Sequence, residues 1–243
     1  MPQEKAFIRT QGLSRFYYVG NETITALNDI NLEIERGKIC AVLGTSGSGK
    51  STLLNMLAGL ERPSMGSVSI GKYRIDQLTE AQLAQFRQRF SGFVFQSYNL
   101  IPTMTALENV ALPLMFKGVE KKEREQRALE MLKMVGIENR ANHRPSEMSG
   151  GQQQRVGIAR AFATNPKVVF ADEPTGNLDS RTTDEVMRLV TDLVHAQQQT
   201  MVLVTHDASV AQYADMVVRI SDGKITEQYE TNGIEQEKSY EKN

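Results

Sequence analysis

Residues 44–51 read Gly-Thr-Ser-Gly-Ser-Gly-Lys-Ser, which satisfies the pattern G-x-x-x-x-G-K-S/T at every fixed position. Glycines in such a loop allow the backbone to turn its N–H groups inward, toward phosphate oxygens. Lys50 brings a positive charge to the β- and γ-phosphates, and the Ser51 hydroxyl is placed to ligate Mg²⁺. The apolar run 39–43 predicts a buried parallel strand before the loop, and residues 50–57 predict a helix after it. The sequence therefore predicts a nucleoside triphosphate site.

The bulk composition narrows the class of protein. With 243 residues, the chain is long enough for one α/β domain with an inserted lobe. The formal net charge is −1, so the sequence has no excess of basic residues to bind the phosphates of a nucleic acid. We therefore expect no nucleic-acid partner. The single cysteine, Cys40, lies in the apolar run before the loop and is predicted to pack in the core. No apolar stretch reaches the ~18–20 residues of a membrane helix, so we expect any membrane role to come through a partner.

Hydrophobic periodicity predicts strands that alternate with helices. Apolar and polar residues alternate over 30–35, and the first forty residues are predicted to form an antiparallel edge sheet. Capping-box sequences predict helices that begin after Thr79 and Thr105, and Pro113 is expected to end or kink the second. Residues 97–164 have a mostly helical pattern, so we expect a mainly parallel sheet with an inserted helical lobe.

Three expectations concern the later part of the chain. Leu129, Leu132 and Val135 are predicted to share the buried side of a helix. Residues 222–223, Asp-Gly, predict a hairpin between two short strands. Residues 229–243 are rich in Glu, Gln, Lys and Asn and are predicted to be a disordered tail.

Two carboxylates follow the apolar run 168–171, which predicts another buried strand. At the carboxyl end of such a strand, Asp172 is suited to Mg²⁺ and Glu173 to polarising the attacking water as a general base. Taken alone, the pair could equally lie in a surface turn. The neighbouring phosphate loop favours the functional interpretation.

Residues 148–152, Met-Ser-Gly-Gly-Gln, allow two interpretations. The backbone N–H groups at Gly150 and Gly151, together with the Ser149 hydroxyl, could cradle a second anion at a helix N-terminus. Equally, Ser149 could cap a helix that has a flexible start. Local features do not decide between them.

Taken together, residues 5–228 resemble the nucleotide-binding subunit of an ATP-binding cassette (ABC) transporter. Several segments match family motifs in the family's order and at its spacings. They are 44–51 (Walker A), Gln96 (Q-loop), 148–152 (the signature, usually L-S-G-G-Q), 168–173 (Walker B with its catalytic glutamate), 177–179 (D-loop) and His206 (the switch histidine). Tyr17 occupies the position of the aromatic residue that stacks on adenine. Met148 replaces the usual leucine, a change that conserves volume and apolarity.

The resemblance implies a fold, two ligands and their site. The fold is an α/β P-loop NTPase core of RecA-like type, residues 5–96 and 165–228, with an N-terminal antiparallel β-subdomain and an inserted α-helical subdomain, residues 97–164. The ligands are ATP and Mg²⁺. The residues implied to bind ATP are Tyr17, Gly44, Thr45, Ser46, Gly47, Ser48, Gly49, Lys50, Ser51, Thr52, Ser149, Gly150, Gly151, Gln152 and Asp179. The implied catalytic residues are Lys50, Gln96, Glu173 and His206, and the implied metal ligands are Ser51, Gln96 and Asp172.

The resemblance also implies partners. In the family two cassettes face each other head to tail, so that Ser149 and Gly151 of one copy close over the ATP of the other. Permease subunits are implied to dock on the helical subdomain around residues 97–113, which places the chain at the cytoplasmic face of a membrane. Residues 95–110 and 171–179 look most like the branch of lipoprotein-release (LolD-type) and macrolide- or peptide-export (MacB-type) ATPases.

Other functions compete with transport at this point. One is that of an FtsE-type regulatory ATPase of cell division, and another is that of a non-transport ABC ATPase of DNA repair or translation. The latter usually carry paired cassettes, coiled-coil insertions or basic segments, whereas this sequence has one cassette and balanced charge. A P-loop GTPase or kinase is disfavoured, because no N-K-x-D motif follows and residues 149–152 would have no role.

Overall fold

A computed structural model of the chain describes residues 6–231, which contain two β-sheets with helices packed around them. The strands are β1 (Ala6–Val19), β2 (Glu22–Glu35), β3 (Ile39–Leu43), β4 (Met65–Ile70), β5 (Tyr73–Arg74), β6 (Ser91–Phe95), β7 (Val168–Asp172), β8 (Thr200–Thr205), β9 (Met216–Ser221) and β10 (Lys224–Glu230). The α-helices are α1 (Lys50–Leu57), α2 (Glu80–Phe90), α3 (Ala106–Phe116), α4 (Lys121–Met134), α5 (Gly150–Phe162), α6 (Ser180–Ala196) and α7 (Ala208–Ala211).

The first sheet is antiparallel, as the alternation in the N-terminal segment predicts. Its strand order is β2-β1-β4-β5, and the long hairpin of β1 and β2 forms most of it. The buried residues Leu27, Ile30, Leu32 and Ile34 of β2 pack into the same core as α1. This packing holds the hairpin against the segment that follows residues 44–49.

The second sheet carries the site. Its strand order is β10-β9-β3-β8-β7-β6, and its strands are parallel except for β10 at one edge. Asp222 and Gly223 join β9 to β10 with φ values of 48° and 72°, the left-handed pair of a tight hairpin turn, as predicted. Tyr229 and Glu230 belong to β10, so the prediction that disorder begins at residue 229 is wrong for these two. Thr231, the next residue of that predicted tail, is also ordered by a hydrogen bond from its N to Asp215 O at 2.9 Å, and residues 232–243 lie outside the described residues.

Strand β3 lies at the centre of this sheet and is buried at all five positions. Ile39, Ala41 and Leu43 face the core shared with α3 to α6, whereas Cys40 and Val42 face the core shared with α1 and the first sheet. Cys40 is therefore a packed core residue, as predicted, and burial raises the pKa of its thiol to about 12.

Helix starts agree with the capping patterns. Thr79 and Thr105 each cap their helix with both hydrogen bonds of a capping box. The helix that starts after Thr105 runs three residues beyond Pro113 to Phe116, so Pro113 does not end it.

The buried side of α4 differs from the prediction at one position. Leu129 is exposed, whereas Ala128, Met131, Leu132 and Val135 are buried. The buried set follows the helical spacing i, i+3, i+4, i+7, and Leu129 lies about 100° away from its first member around the helix axis. Within residues 6–231, none of the helices is both long and apolar enough to cross a membrane.

Candidate active site

Residues 44–49, called here the phosphate loop, connect β3 to α1. Its first glycine, Gly44, donates its backbone N–H to Thr205 O at 3.3 Å, which ties the loop to the end of β8. Lys50 is buried at 6% exposure, and its Nζ donates to Thr45 O at 2.7 Å across the loop. No side chain caps α1, and its first turn has no acidic residue, so its N–H groups keep their donor capacity for an anion.

Gly49 meets the first sheet at the start of α1. It has a φ of 102°, and a Cβ at this position would lie 2.5 Å from Ala26 O. Gly47 has a φ of 80°, but no atom lies within 4 Å of its Cβ position. The two loop glycines therefore share a left-handed backbone and differ in the space around them.

We expect Gly49→Ala to destabilise the protein more than Gly47→Ala. Gly47→Ala introduces only the left-handed penalty of about 1–2 kcal/mol. Gly49→Ala adds a backbone clash, for a total above about 3 kcal/mol. Thermal unfolding without nucleotide measures the difference, at about 2–4 °C per kcal/mol for a domain of this size. Equal shifts of the two variants would contradict the close approach of Ala26.

The ends of β7 and α1 bring together a hydroxyl and a carboxylate. Ser51 Oγ donates to Asp172 Oδ1 at 3.3 Å. Burial raises the pKa of Asp172, and the charge of Glu173 adds to this effect, while the Ser51 hydrogen bond and Lys50 oppose it. A cation beside Asp172 would favour its ionised form.

The donor set fits magnesium. Among residues 6–231, no three or more His, Cys, Asp or Glu side chains are grouped to hold a metal by themselves. Mg²⁺ is usually bound through one or two protein oxygens together with substrate phosphates and water. The Ser51–Asp172 pair next to the phosphate loop supplies such oxygens.

Glu173 is held in an uncommon conformation directly after β7. Its φ is 44°, in the left-handed region that non-glycine residues rarely adopt. Two backbone hydrogen bonds hold this turn, from Glu173 N to Val204 O at 3.0 Å and from Gly176 N to Glu173 O at 3.1 Å. Within this turn, Glu173 Oε1 lies 3.0 Å from Nδ1 of His206, which follows β8. Strain of this kind is concentrated at functional sites.

Gln96 follows β6 and lies over the turn after Glu173. A Cβ on Gly176 would lie 2.7 Å from Gln96 Nε2, so the amide covers this glycine. Asn177 Nδ2 donates to Gln96 O at 3.0 Å. Because β6, β7 and β8 are adjacent parallel strands, their carboxyl ends bring Gln96, Glu173 and His206 to one edge of the sheet.

Residues 149–152 begin α5 as a capped helix. Ser149 Oγ accepts from Gln152 N at 3.3 Å, and Gln152 Oε1 accepts from Ser149 N at 3.1 Å. The cap that the sequence allows at Ser149 is thus present, and the role of this segment as an anion site stays a prediction. Between described residues, no hydrogen bond joins this segment to residues 44–52. The cap uses Ser149 Oγ as an acceptor, which leaves its hydroxyl hydrogen available to a ligand.

A comparison with protein families identifies the family of this chain. A sequence profile described as ABC transporter matches residues 27–176, more than half of the chain. The chain belongs to the ABC transporter family. The prediction made from the ordered motifs is confirmed.

Several relatives of this ABC chain are similar over most of its length. The uncharacterized ABC transporter ATP-binding protein MJ0796 of Methanocaldococcus jannaschii is 44% identical over 232 residues, covering 94% of this chain and 99% of the relative. The lipoprotein-releasing system ATP-binding protein LolD of Chromohalobacter salexigens is 44% identical over 220 residues, covering 90% of this chain and 93% of LolD. The macrolide export ATP-binding/permease protein MacB of Vibrio parahaemolyticus is 45% identical over 218 residues, covering 90% of this chain. This chain spans only 33% of that MacB.

A solved structure supports the cassette fold. It is a dimeric post-hydrolysis state of the ATP-binding cassette MJ0796 bound to ADP and Pi. It matches this chain with a TM-score of 0.86 and 43% identity, covering 93% of this chain and 100% of that one. The predictions of a P-loop cassette fold and of ATPase activity are confirmed.

Two predicted ATP-binding residues of the ABC chain make other contacts in the structure. The Tyr17 hydroxyl donates to Glu61 Oε1 at 2.5 Å, and the Arg15 guanidinium lies 4.7 Å from the ring centroid of Tyr17. Asp179 caps α6 and accepts from Thr182 N at 2.9 Å and Thr182 Oγ1 at 2.8 Å. These hydrogen bonds lower the pKa of Asp179. The role of both residues in ATP binding stays a prediction.

Two residues of helix α5 that the motifs do not include bind the segments next to Glu173 and Gln96. Gln154 is fully buried, and its Nε2 donates to Pro174 O, next to Glu173. Arg160 donates to two carbonyls of the segment after Gln96. For Gln154, the helical spacing could have given the signal, because 154, 158 and 161 lie on one buried side of α5.

Proposed function

We propose that this ABC ATPase works as a homodimer that encloses two ATP molecules and drives a separate membrane permease. One observation carries the proposal: the signature segment 149–152 has free donors but no hydrogen bond to its own phosphate loop. A second copy placed head to tail would bring these donors to the γ-phosphate. The dimeric cassette MJ0796, which holds ADP and Pi, supports this assembly.

Within one copy we assign the phosphates to residues 44–52. Lys50 would exchange its hydrogen bond to Thr45 O for the β- and γ-phosphates. Ser51 and Asp172 would hold Mg²⁺, with Gln96 as a further ligand from the neighbouring strand. When bound, the metal neutralises charge that develops on the phosphate oxygens.

Glu173 is the general base of this proposal. Its carboxylate would accept a proton from the attacking water, and His206, 3.0 Å away, would orient that carboxylate and contact the γ-phosphate. Gln96 covers Gly176, so its position would depend on the conformation of the turn that follows Glu173. Tyr17 would stack on adenine, with Arg15 and Glu61 fixing its ring orientation.

We assign the permease contact to an apolar groove between α2, β6 and α3, called here the lobe groove. Its volume is about 610 Å³, and it is lined by Leu60, Ala84, Gln85, Arg87, Gln88, Ser91, Phe93, Phe95, Pro113, Phe116 and Thr164. Leu60 and Phe116 are 53% and 63% exposed. An amphipathic helix from a cytoplasmic loop of the permease fits a groove of this kind. Because β6 lines the groove and runs into Gln96, docking would act directly on the active-site edge.

We expect Phe116→Ser to weaken permease binding and leave the ATPase of the free subunit unchanged. Burying a phenylalanine contributes about 1.5–3 kcal/mol, which corresponds to a ~10- to 100-fold loss of affinity. Copurification with a coexpressed permease of the LolD or MacB type, together with permease-dependent ATP turnover, measures the effect.

Leu129→Ser is the matched control for this experiment. Leu129 is 46% exposed on α4, outside the lobe groove, so its replacement removes similar apolar surface elsewhere. Permease binding that survives Phe116→Ser, or that falls equally with Leu129→Ser, would overturn the groove assignment.

The identity of the relatives favours one branch for the proposed complex. LolD and MacB relatives are 44% and 45% identical to this chain. We therefore propose export or membrane extraction of a lipoprotein, macrolide or peptide, with the chain held at the cytoplasmic face of the membrane by its permease.

A further inference from the structure

The segment after Gln96 contains two successive residues in the left-handed region. Tyr98 has a φ of 59° and Asn99 a φ of 47°, and neither is glycine. Asn99 N donates to Ser97 O at 2.6 Å, which closes a tight turn. Such a conformation persists only where surrounding groups hold it.

Arg160 on α5 supplies these groups. Its Nη2 donates to Tyr98 O at 2.8 Å and its Nη1 to Asn99 O at 2.5 Å. The planar guanidinium thus binds two consecutive carbonyls with one fork, a geometry that a lysine ammonium cannot reproduce. Arg160 retains its charge in proteins, so both hydrogen bonds are charge-assisted.

Tyr98 extends from this anchor along α5 to its first turn. A Cβ on Gly157 would lie 3.6 Å from Tyr98 O, and a Cβ on Gly150 would lie 2.8 Å from Tyr98 Oη. The two glycines are seven residues apart, about 10 Å along the helix axis. The tyrosine therefore lies along the helix and ends against Gly150, next to the Ser149 cap.

We propose that Tyr98, fixed by Arg160, is a positioning residue that sets the first turn of α5 relative to the segment after Gln96. Gln96 lies at the ATP site of its own copy, whereas Ser149 and Gly151 are proposed to serve the ATP of the other copy. A shift of the segment at Gln96 would therefore be passed through Tyr98 to the first turn of α5, which contains the signature residues. The two ATP sites would be linked in this way. This step rests on the proposed homodimer, but the contact itself does not.

Hydrogen exchange in the nucleotide-free protein tests the contact. Tyr98→Ala and Arg160→Lys are each expected to raise the exchange rates of the Gln152 and Gln153 amides by about tenfold, because the first turn loses its support. Arg155→Lys is the matched control: Arg155 also lies on α5 and donates to a backbone carbonyl, Val135 O, at 3.1 Å. Exchange rates that match the unmodified protein, or that rise equally in the control, would overturn the inference.

A dimerisation assay in the Glu173→Gln background tests the consequence. Each variant is expected to raise the ATP concentration for half-maximal dimer by about tenfold and to leave the ATP affinity of the monomer within about twofold. The double variant should be no worse than the more severe single variant, because the two residues act as one unit. Additive effects, or an equal loss of monomer affinity, would contradict the positioning role.

The two readouts separate the two proposals. A Glu173→Gln protein that stays monomeric with ATP would refute the homodimer, and the exchange rates would still decide the Tyr98–Arg160 contact. A dimer that forms normally in both variants would refute the positioning role alone.

Discussion

Glu173→Gln is expected to lower ATP turnover by about 10²–10⁴-fold, the usual contribution of a general base. The amide keeps the size of the side chain but cannot accept a proton from water at neutral pH. ATP affinity should stay within about twofold, because the phosphates are assigned to residues 44–52. The variant should also accumulate as an ATP-dependent dimer, since the step that releases the two copies is blocked.

Steady-state phosphate release and size-exclusion chromatography with ATP measure these effects. Glu185→Gln is the matched control, because Glu185 is a surface glutamate of α6 that pairs with Arg155 and Arg181. Surface ion pairs of this kind contribute about 0–1 kcal/mol, so turnover should not change. Turnover that survives Glu173→Gln would refute the general-base assignment, and a fall in ATP affinity would point to a role in binding.

The sequence predicts those parts of the site that short segments encode. The strand, loop and helix of residues 39–57 and the capped start of α5 each depend on residues close together in the sequence, and both local structures are found as predicted. The strands around the loop follow from uniform apolar runs, which are typical of buried parallel strands. Strands β7 and β8 are parallel neighbours, so Asp172, Glu173 and His206, which stand at or just after their carboxyl ends, lie at one edge of the sheet. The sequence predicts this result, because each residue ends or follows an apolar run and ligand sites of α/β sheets lie at the carboxyl ends of strands.

Contacts between distant segments could not be predicted in the same way. Arg160 donates to the carbonyls of Asn99 and Tyr98, which lie 61 and 62 positions earlier in the chain. The sequence around a helical arginine contains no pattern that identifies such distant partners. The hydrogen bond from the Tyr17 hydroxyl to Glu61 could not be predicted either, because Glu61 lies 44 positions later, in the segment between α1 and β4. The left-handed φ of Glu173 depends on hydrogen bonds to Val204 and Gly176, and no local propensity predicts it.

Ser149→Arg is expected to lower turnover by at least about 10²–10³-fold, the effect of removing phosphate-directed donors from a transition state. Ser149 is exposed, so the arginine fits without disturbing the core of its own copy. Loss of the helix cap should destabilise the fold by only about 1 kcal/mol. Monomer ATP affinity should stay close to normal, because the segment makes no hydrogen bond to its own phosphate loop.

Ser146→Arg is the matched control, since Ser146 is another exposed serine three residues earlier. Ser149→Thr keeps both the cap and the hydroxyl and should retain most of the turnover. If Ser149→Arg reduced the ATP affinity of the monomer, the signature would act on the nucleotide of its own copy.

A mixing experiment separates these two arrangements. In the Glu173→Gln background, Ser149→Arg keeps an intact phosphate loop, and Lys50→Ala keeps an intact signature. If the signature acts on the other copy, a heterodimer of the two has one complete site, and ATP should drive its association although neither variant associates alone. If the signature acts within its own copy, every site in the mixture lacks one half, and ATP should produce no heterodimer. Pull-down through a tag on one variant distinguishes the outcomes, because only the other-copy arrangement recovers the untagged partner.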